Sequence, residues 1–227
     1  MIRLSQVAPA VKQKKPFIHL AINAGRIEEW CAENNTSMLD ASRKLYSKIF
    51  RLLEFQVKRE ILILTINLKL ASDEERVEFI NFLRNTETKG FLVKNSIRVY
   101  VLGKWYALEQ ELVDAIKDTI TSTAENSKFF FNICVNYNGQ EEILDAFKNI
   151  GRKLLVDKVE LDELNSADIK ENVYSSNFPP PQVIIETENK YSGLLLWDSK
   201  GSYIYFARKH FLDLKRSDVE AGMECGE

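Results

Sequence analysis

The residues of this chain that could do chemistry collect where apolar runs stop. The run Phe17–Ile22 ends in Asn23-Ala24-Gly25-Arg26, a glycine turn followed by a guanidinium. Such a turn can hold an anion, and it serves equally as a tight strand-to-helix turn with a surface arginine. Glu28 and Glu29 follow, in the next helix. The run Ile61–Asn67 ends in Leu68-Lys69-Leu70-Ala71-Ser72, the run Ile97–Leu102 in Gly103-Lys104, and the run Phe129–Val135 in Asn136-Tyr137-Asn138-Gly139. Val183–Ile185 leads into the polar loop Glu186–Ser192. If these runs are parallel strands, their carboxyl ends share one crevice, where open α/β sheets bind ligands. The remaining conspicuous residues have plainer readings. His19 sits inside an apolar strand and reads as packing, His210 has no Asp, Ser or Cys pattern near it and reads as surface, and Cys134 reads as a small buried apolar residue.

The elements that must position these ends follow from periodicity. Val183-Ile184-Ile185 is an unbroken apolar run, the mark of a strand buried on both faces. Pro179 to Pro181 before it stop any helix, because a prolyl ring has no donor for a helix interior. Leu194 to Trp197, a turn at Gly201 and a strand at Tyr203–Phe206 complete that stretch as strand, crossover and strand. Met38–Arg59 is a helix, with Met38, Ala41, Leu45, Ile49, Leu52 and Leu53 on the 3.6 period. Ser72 with Glu75 predicts a capping box that opens a helix through Asn85. Ala107–Thr121 and Gln140–Leu155 are further helices, the second with Glu141 and Glu142 in its first turn, and Leu161–Val173 holds one or two short ones. Six short strands alternating with helices predict a single α/β domain with a mostly parallel central sheet of about six strands flanked by helices.

Composition narrows the functional classes. Lysine and arginine number 31 against 33 aspartate and glutamate, a net charge of −2, which argues against a nucleic-acid partner. Cys31, Cys134 and Cys225 are few and widely spaced, so neither a disulfide framework nor a zinc site is expected, and a reducing compartment is. No apolar run approaches the roughly 20 residues that span a bilayer, and the first fifteen residues lack the apolar core of a secretory signal. A cytoplasmic protein is expected.

The order of these segments resembles the cis-prenyltransferases, the family of the undecaprenyl and dehydrodolichyl diphosphate synthases. The likeness rests on the Pro-rich lead, the strand and polar loop, Ser192-Gly193-Leu194-Leu195-Leu196-Trp197 and the Tyr203–Phe206 strand. It extends to Asn132-Ile133-Cys134-Val135-Asn136-Tyr137-Asn138-Gly139-Gln140-Glu141-Glu142-Ile143, similar to the family's Asn-x-x-x-Asn-Tyr-Gly-Gly-Arg-x-Glu-Ile, and to Arg98 and Gly103 on the third strand. It covers Phe17 to Asp213, which sets a domain over 17–213, an arm over 1–16 and a short tail over 214–227.

The resemblance implies the fold above and a reaction in which isopentenyl diphosphate condenses in cis onto an allylic diphosphate. That chemistry leaves charge on a diphosphate, and the family meets it with carboxylate-held Mg²⁺ and arginines. The family's first turn carries Asp, yet no Asp lies between His19 and Arg26; its strand-end Arg-Thr is Glu186-Thr187, its second Arg is Lys190, its acidic place on the third strand is Lys104, and its late Glu aligns with Tyr203. The Phe-Ser-x-Glu-Asn-Trp motif is almost wholly absent from Thr65–Ser72. The resemblance therefore implies the accessory member of a heteromer. No catalytic residue and no metal ligand is assigned to this chain. Gly25 and Arg26 form a vestigial diphosphate site, and Trp197, Tyr203, Tyr205 and Phe206 contact the partner, although core packing explains Trp197 and Tyr205 as well. Mg²⁺ is expected in the catalytic partner, isoprenoid diphosphates are met through the complex, and a lipid product makes peripheral membrane contact plausible. The C-terminal Arg-x-Gly tail that several accessory chains donate is replaced here by Gly222-Met223-Glu224-Cys225-Gly226-Glu227. An active homodimer with rearranged ligands and a scaffold without prenyl substrates are the competing readings.

Overall fold

The computed structural model describes residues 17–157 and 161–226. The arm expected over residues 1–16 lies outside them. In chain order the elements are β1 (His19–Asn23), α1 (Ile27–Asn34), α2 (Met38–Lys58), β2 (Ile63–Leu68), α3 (Asp73–Arg84), α4 (Thr86–Lys94) and β3 (Ile97–Leu102). There follow α5 (Gln110–Ser122), β4 (Phe129–Val135), α6 (Gly139–Asp157), α7 (Ser166–Asn172), β5 (Val183–Glu186), β6 (Tyr203–Phe206) and α8 (Arg216–Cys225). The strands form one sheet in the order β3-β4-β2-β1-β5-β6, every neighbouring pair parallel.

Register places the strand ends level with one another. Asn23 pairs with Asn67, Asn67 with Cys134, and Ile22 with Ile185. Side chains alternate across the pleat, so each strand serves two environments. Leu20, Ile22, Leu64, Ile66, Phe131 and Ile133 enter the main core with residues of α1 to α5 and α8. Ala21, Cys134 and Ile184 face the other way, under Leu194 and Leu195.

Local chemistry explains the helices. α2 starts where the Ser37 hydroxyl accepts from the Asp40 N–H, and it buries Ala41, Leu45, Ile49, Leu52 and Leu53 as its period requires. α3 has the expected capping box of Ser72 and Glu75. The sequence reading missed α4. Asn85 leaves α3 in an extended conformation, and its side chain accepts from the Thr88 N–H at 3.0 Å, so one residue closes one helix and caps the next.

Residues 214–227, read from sequence as a short tail, include α8. Its Val219, Gly222 and Met223 are buried, and a β-carbon on Gly222 would lie 3.1 Å from Ile185 and Tyr205. A glycine there lets α8 lie close on β5 and β6. β6 is one of the two edge strands and is only partly covered. Among the described residues no helix is long and apolar enough to cross a membrane.

Candidate functional site

A cleft of about 660 Å³ opens at the carboxyl ends of β1, β2, β4 and β5. Its floor is a row of amides, tied from behind by one buried carboxylate. Asn67 donates from Nδ2 to Asn23 Oδ1 at 3.1 Å, and Asn23 donates from Nδ2 to Glu186 Oε2 at 2.9 Å. Ser192 then donates to Glu186 Oε1 from its backbone N–H at 2.9 Å and its hydroxyl at 2.7 Å. The Thr187 hydroxyl donates to the Asn23 carbonyl at 3.1 Å. This arrangement exists because the register brings Asn23 level with Asn67, and β5 lies alongside β1 with Glu186 at its end. Glu186 belongs to β5 rather than to the loop after it, and it is fully buried. Its carboxylate does not face the cleft as a repelling charge; it ties the loop at Ser192 to β1.

The fourth strand end is held by its own polar groups. Asn138 Oδ1 accepts from the Gln140 and Glu141 N–H groups and caps α6. Tyr137 donates to Glu142 Oε2 at 2.6 Å and accepts from the Leu195 N–H at 2.9 Å. Burial, with the neighbouring Glu142 charge second, holds the Tyr137 phenol well above its ordinary range. Burial also raises Glu142, against the lowering effect of the Tyr137 hydrogen bond. Gly139 is required sterically, because a β-carbon there would stand 2.2 Å from the Gly193 carbonyl. Lys104 is drawn to α6, 2.8 Å from Glu141 and 3.3 Å from Asp145. The Asn-Tyr-Asn-Gly segment thus docks the 191–197 turn on the sheet.

Of the two residues proposed as an anion site, Gly25 lines the cleft and Arg26 lines a hollow beside it that shares Glu188 and Lys190 with the cleft. Arg26 has φ 67° and ψ 30°, in the left-handed region, and its guanidinium is bound to Glu29, three residues on. That hydrogen bond is the main reason why Arg26 is shifted up and Glu29 down. The cations that line the cleft are Lys69 and Lys190, matched by Glu141 and Glu188. Glu141 is engaged by Lys104, and Glu188 lies 3.9 Å from Lys190.

The donor set does not fit Mg²⁺. Magnesium is held by one or two carboxylates together with waters and substrate phosphates; here the strand ends present the neutral amides of Asn23, Asn67, Asn136 and Asn138, and the carboxylates of the lining, Glu141 and Glu188, stand beside Lys104 and Lys190. Glu186 is buried and has its oxygens occupied.

Of the four residues proposed for the partner face, Tyr203 and Phe206 are exposed on β6 at 45% and 39%, Trp197 is half-buried in the turn before it, and Tyr205 packs against the main core under α8. A larger apolar surface went unread in the sequence. Leu144, Phe147 and Leu155 on α6 are 51%, 66% and 87% exposed. With Gly151 they form one stripe at spacings of three and four, and that spacing was the signal available. His19 is buried as expected: Nε2 contacts the Thr65 hydroxyl at 2.8 Å and Nδ1 the Pro179 carbonyl at 2.7 Å. His210 is a correction. Its side chain is only 11% exposed, with Nε2 2.8 Å from Glu33 and Nδ1 buried without a partner. Its carboxylate partner lies 177 residues away, outside any local pattern.

Residues 28–224 match the protein family described as "Putative undecaprenyl diphosphate synthase". The chain belongs to the cis-prenyltransferase family. It is 34% identical over 164 residues to the tritrans,polycis-undecaprenyl-diphosphate synthase (geranylgeranyl-diphosphate specific) of Picrophilus torridus, covering 68% of this chain and 62% of that protein. The match to the synthase of the same description from Thermoplasma volcanium is 31% identical over 185 residues, 76% of this chain and 71% of that protein. Among solved structures, lavandulyl diphosphate synthase from Lavandula x intermedia, in complex with dimethylallyl diphosphate, superposes with a TM-score of 0.84 at 22% identity, covering 92% of this chain and 94% of that one. The parallel six-stranded sheet is therefore a cis-prenyltransferase fold. Within that fold this chain has amides and a buried glutamate at the strand ends.

Proposed function

We propose that this chain is the catalytically degenerate subunit of a heteromeric cis-prenyltransferase that makes a long-chain polyprenyl diphosphate from isopentenyl diphosphate and an allylic diphosphate. The observation that carries this reading is the charge content of the strand-end cleft. A leaving diphosphate is stabilised by divalent cations and by guanidinium or ammonium groups placed around it. Here two lysines are offset by two glutamates, and Arg26 is turned onto Glu29. Mg²⁺ and the catalytic residues belong to the partner in this reading, and Gly25 and Arg26 keep at most a weak affinity for diphosphate.

The partner's surface is the α6 stripe of Leu144, Phe147 and Leu155, together with Tyr203, Phe206 and Trp197 near the sheet edge. Exposed apolar side chains in a row are what a chain keeps for another protein, and the free side of β6 can be covered by the same contact. We place the complex in the cytoplasm, in peripheral contact with the membrane that takes up its product. The fact that the curated relatives are synthases favours a second reading, an active homodimer whose ligands are rearranged.

Incorporation of radiolabelled isopentenyl diphosphate with Mg²⁺ separates these readings. The arms are this chain alone, an intact cis-prenyltransferase from the same genome alone, and the two co-expressed. Activity that appears or rises at least tenfold only on co-expression is the expected result. Turnover by this chain alone supports the homodimer and ends the accessory reading. No change in the partner's activity or yield on co-expression leaves a scaffold.

A further inference from the structure

A second concavity, of about 870 Å³, runs between α2 and the segment from Phe211 to Val219, and it shares no residue with the strand-end cleft. Its rim carries Lys44, Lys48, Arg51, Lys58, Lys215 and Arg216 with Glu54, and Asp213 and Glu220 stand beside it against Lys44 and Arg216. That is a local excess of positive charge in a protein whose net charge is −2. The spacing explains it: Lys44, Lys48, Arg51 and Lys58 fall on one stripe of α2, beside the stripe that faces the core.

The floor is apolar, built from Leu52, Phe55, Phe211 and Leu214. Lysine and arginine stems lie over it, with Lys48 Nζ 5.9 Å above the Phe211 ring and the Arg216 guanidinium 5.1 Å above Phe55. Internal partners account for some of the rim. Lys48 donates to the Leu212 carbonyl at 2.6 Å, Arg216 reaches Glu220 at 3.1 Å, and Lys44 lies 3.9 Å from Asp213. Among the described residues Arg51, Lys58 and Lys215 make no ion pair. Burial, and then the Lys44 charge, lower the Lys48 ammonium to about 8; Arg51 adds to this, and Asp213 and Asp218 oppose it.

We propose that this groove seats an anionic lipid at a bilayer surface, the phosphate held by Lys48, Arg51 and Lys215 and the first methylenes of the lipid lying on the lysine and arginine stems and on the accessible edges of Leu52 and Phe55. An occupant must be anionic to complement the rim, and a bare inorganic anion would leave the methylene stems of the rim in water. A lipid meets both conditions, and cations clustered around apolar surface are the pattern that binds anionic membranes. The claim gives the membrane contact proposed above a site on this chain, and its test uses no prenyl substrate, so the subunit reading and the groove can each fail alone.

The experiment is flotation of the full chain with vesicles of phosphatidylcholine alone or with 30 mol% phosphatidylglycerol (about that fraction gives a strong anionic surface). Binding only to the anionic vesicles, weakened by salt, is expected. The double variant Arg51→Glu with Lys58→Glu should lower the partition by about tenfold or more, with an unchanged unfolding midpoint because both side chains are exposed. Lys94→Glu with Lys117→Glu, also exposed and on other helices, should leave it within about twofold. Dihexanoyl phosphatidylglycerol below its micelle concentration should bind saturably, and inorganic phosphate should not compete at equal concentration. No dependence on phosphatidylglycerol would overturn the proposal. So would equal loss in both charge-reversal pairs, vesicle binding without binding of the short-chain lipid, or tighter binding of an acidic peptide than of the lipid.

Discussion

On one face of the sheet Leu20, Ile22, Leu64, Ile66, Phe131 and Ile133 meet six helices in a continuous apolar core. On the other face, one residue out of step on the same strands, stand His19, Asn23, Thr65, Asn67, Asn132 and Glu186. The first face is held by burial, which is strong but tolerant of chemical type. The second is held by directional bonds: His19 to Thr65 at 2.8 Å, Asn132 to Thr65 at 3.2 Å, and the chain from Asn67 through Asn23 to Glu186. In a buried polar row each group needs its neighbour, so a charged side chain becomes part of the frame and is lost to chemistry. Glu186 illustrates this. Where the family pattern has an arginine, this chain has a carboxylate that serves as a bracket.

The contrast predicts different responses to damage. Truncating the apolar face should cost most. Phe79 is fully buried among the helices, and Phe79→Ala should lower unfolding free energy by about 3–5 kcal/mol in urea denaturation. A loss under about 2 kcal/mol would mean that this face is loosely packed.

The polar face should instead respond to pH. Burial, opposed by the Pro179 contact, lowers His19 from 6.5 to about 4, so the native state keeps the ring neutral. Between these values the unfolded chain binds a proton that the folded chain refuses. The His19 contribution to stability is therefore complete above pH 6.5 and falls as pH drops toward 4, while Glu75 and Glu142, raised by burial, act in the opposite direction. The expected loss over that window is about 3 kcal/mol, and His19→Gln should flatten it. Identical pH dependence of the wild type and His19→Gln would contradict a buried neutral histidine.

Glu186→Ala strands the Asn23 amide and the Ser192 N–H and should cost about 2–3 kcal/mol, with Glu186→Gln costing less. Equal stability of all three proteins would show that the row does not brace the sheet. The smallest effect on folding belongs to the α6 stripe. Leu144→Ser with Phe147→Ser should move the stability of the isolated chain by no more than about 0.5 kcal/mol per site. The same change should abolish co-purification with an intact cis-prenyltransferase, and undiminished capture would remove the stripe from the interface.

Much of the scaffold was legible from local pattern. The strands at 97–102 and 129–135 and the helix from Met38 came out as read, because period, caps and β-branched runs are properties of neighbouring residues. α4 was missed because its cap, Asn85, doubles as the end of α3. α8 was missed because its amphipathic face has meaning only against β5, with which it is packed through Gly222. The α6 stripe was in the sequence too, yet one helical period allows two apolar faces, and only packing says which is left uncovered.

By itself the sequence determined the alternation of strands and helices, the family likeness, and which charged residue types stand at the strand ends. The tertiary structure alone decided what those charges do. Arg26 turns onto Glu29, Lys104 reaches Glu141 across 37 residues, and Glu186 meets Asn23 across 163. The physical reason is range: helix and strand preferences are set within a few residues, whereas whether a charge is free or satisfied depends on which distant group the fold brings within about 3 Å of it.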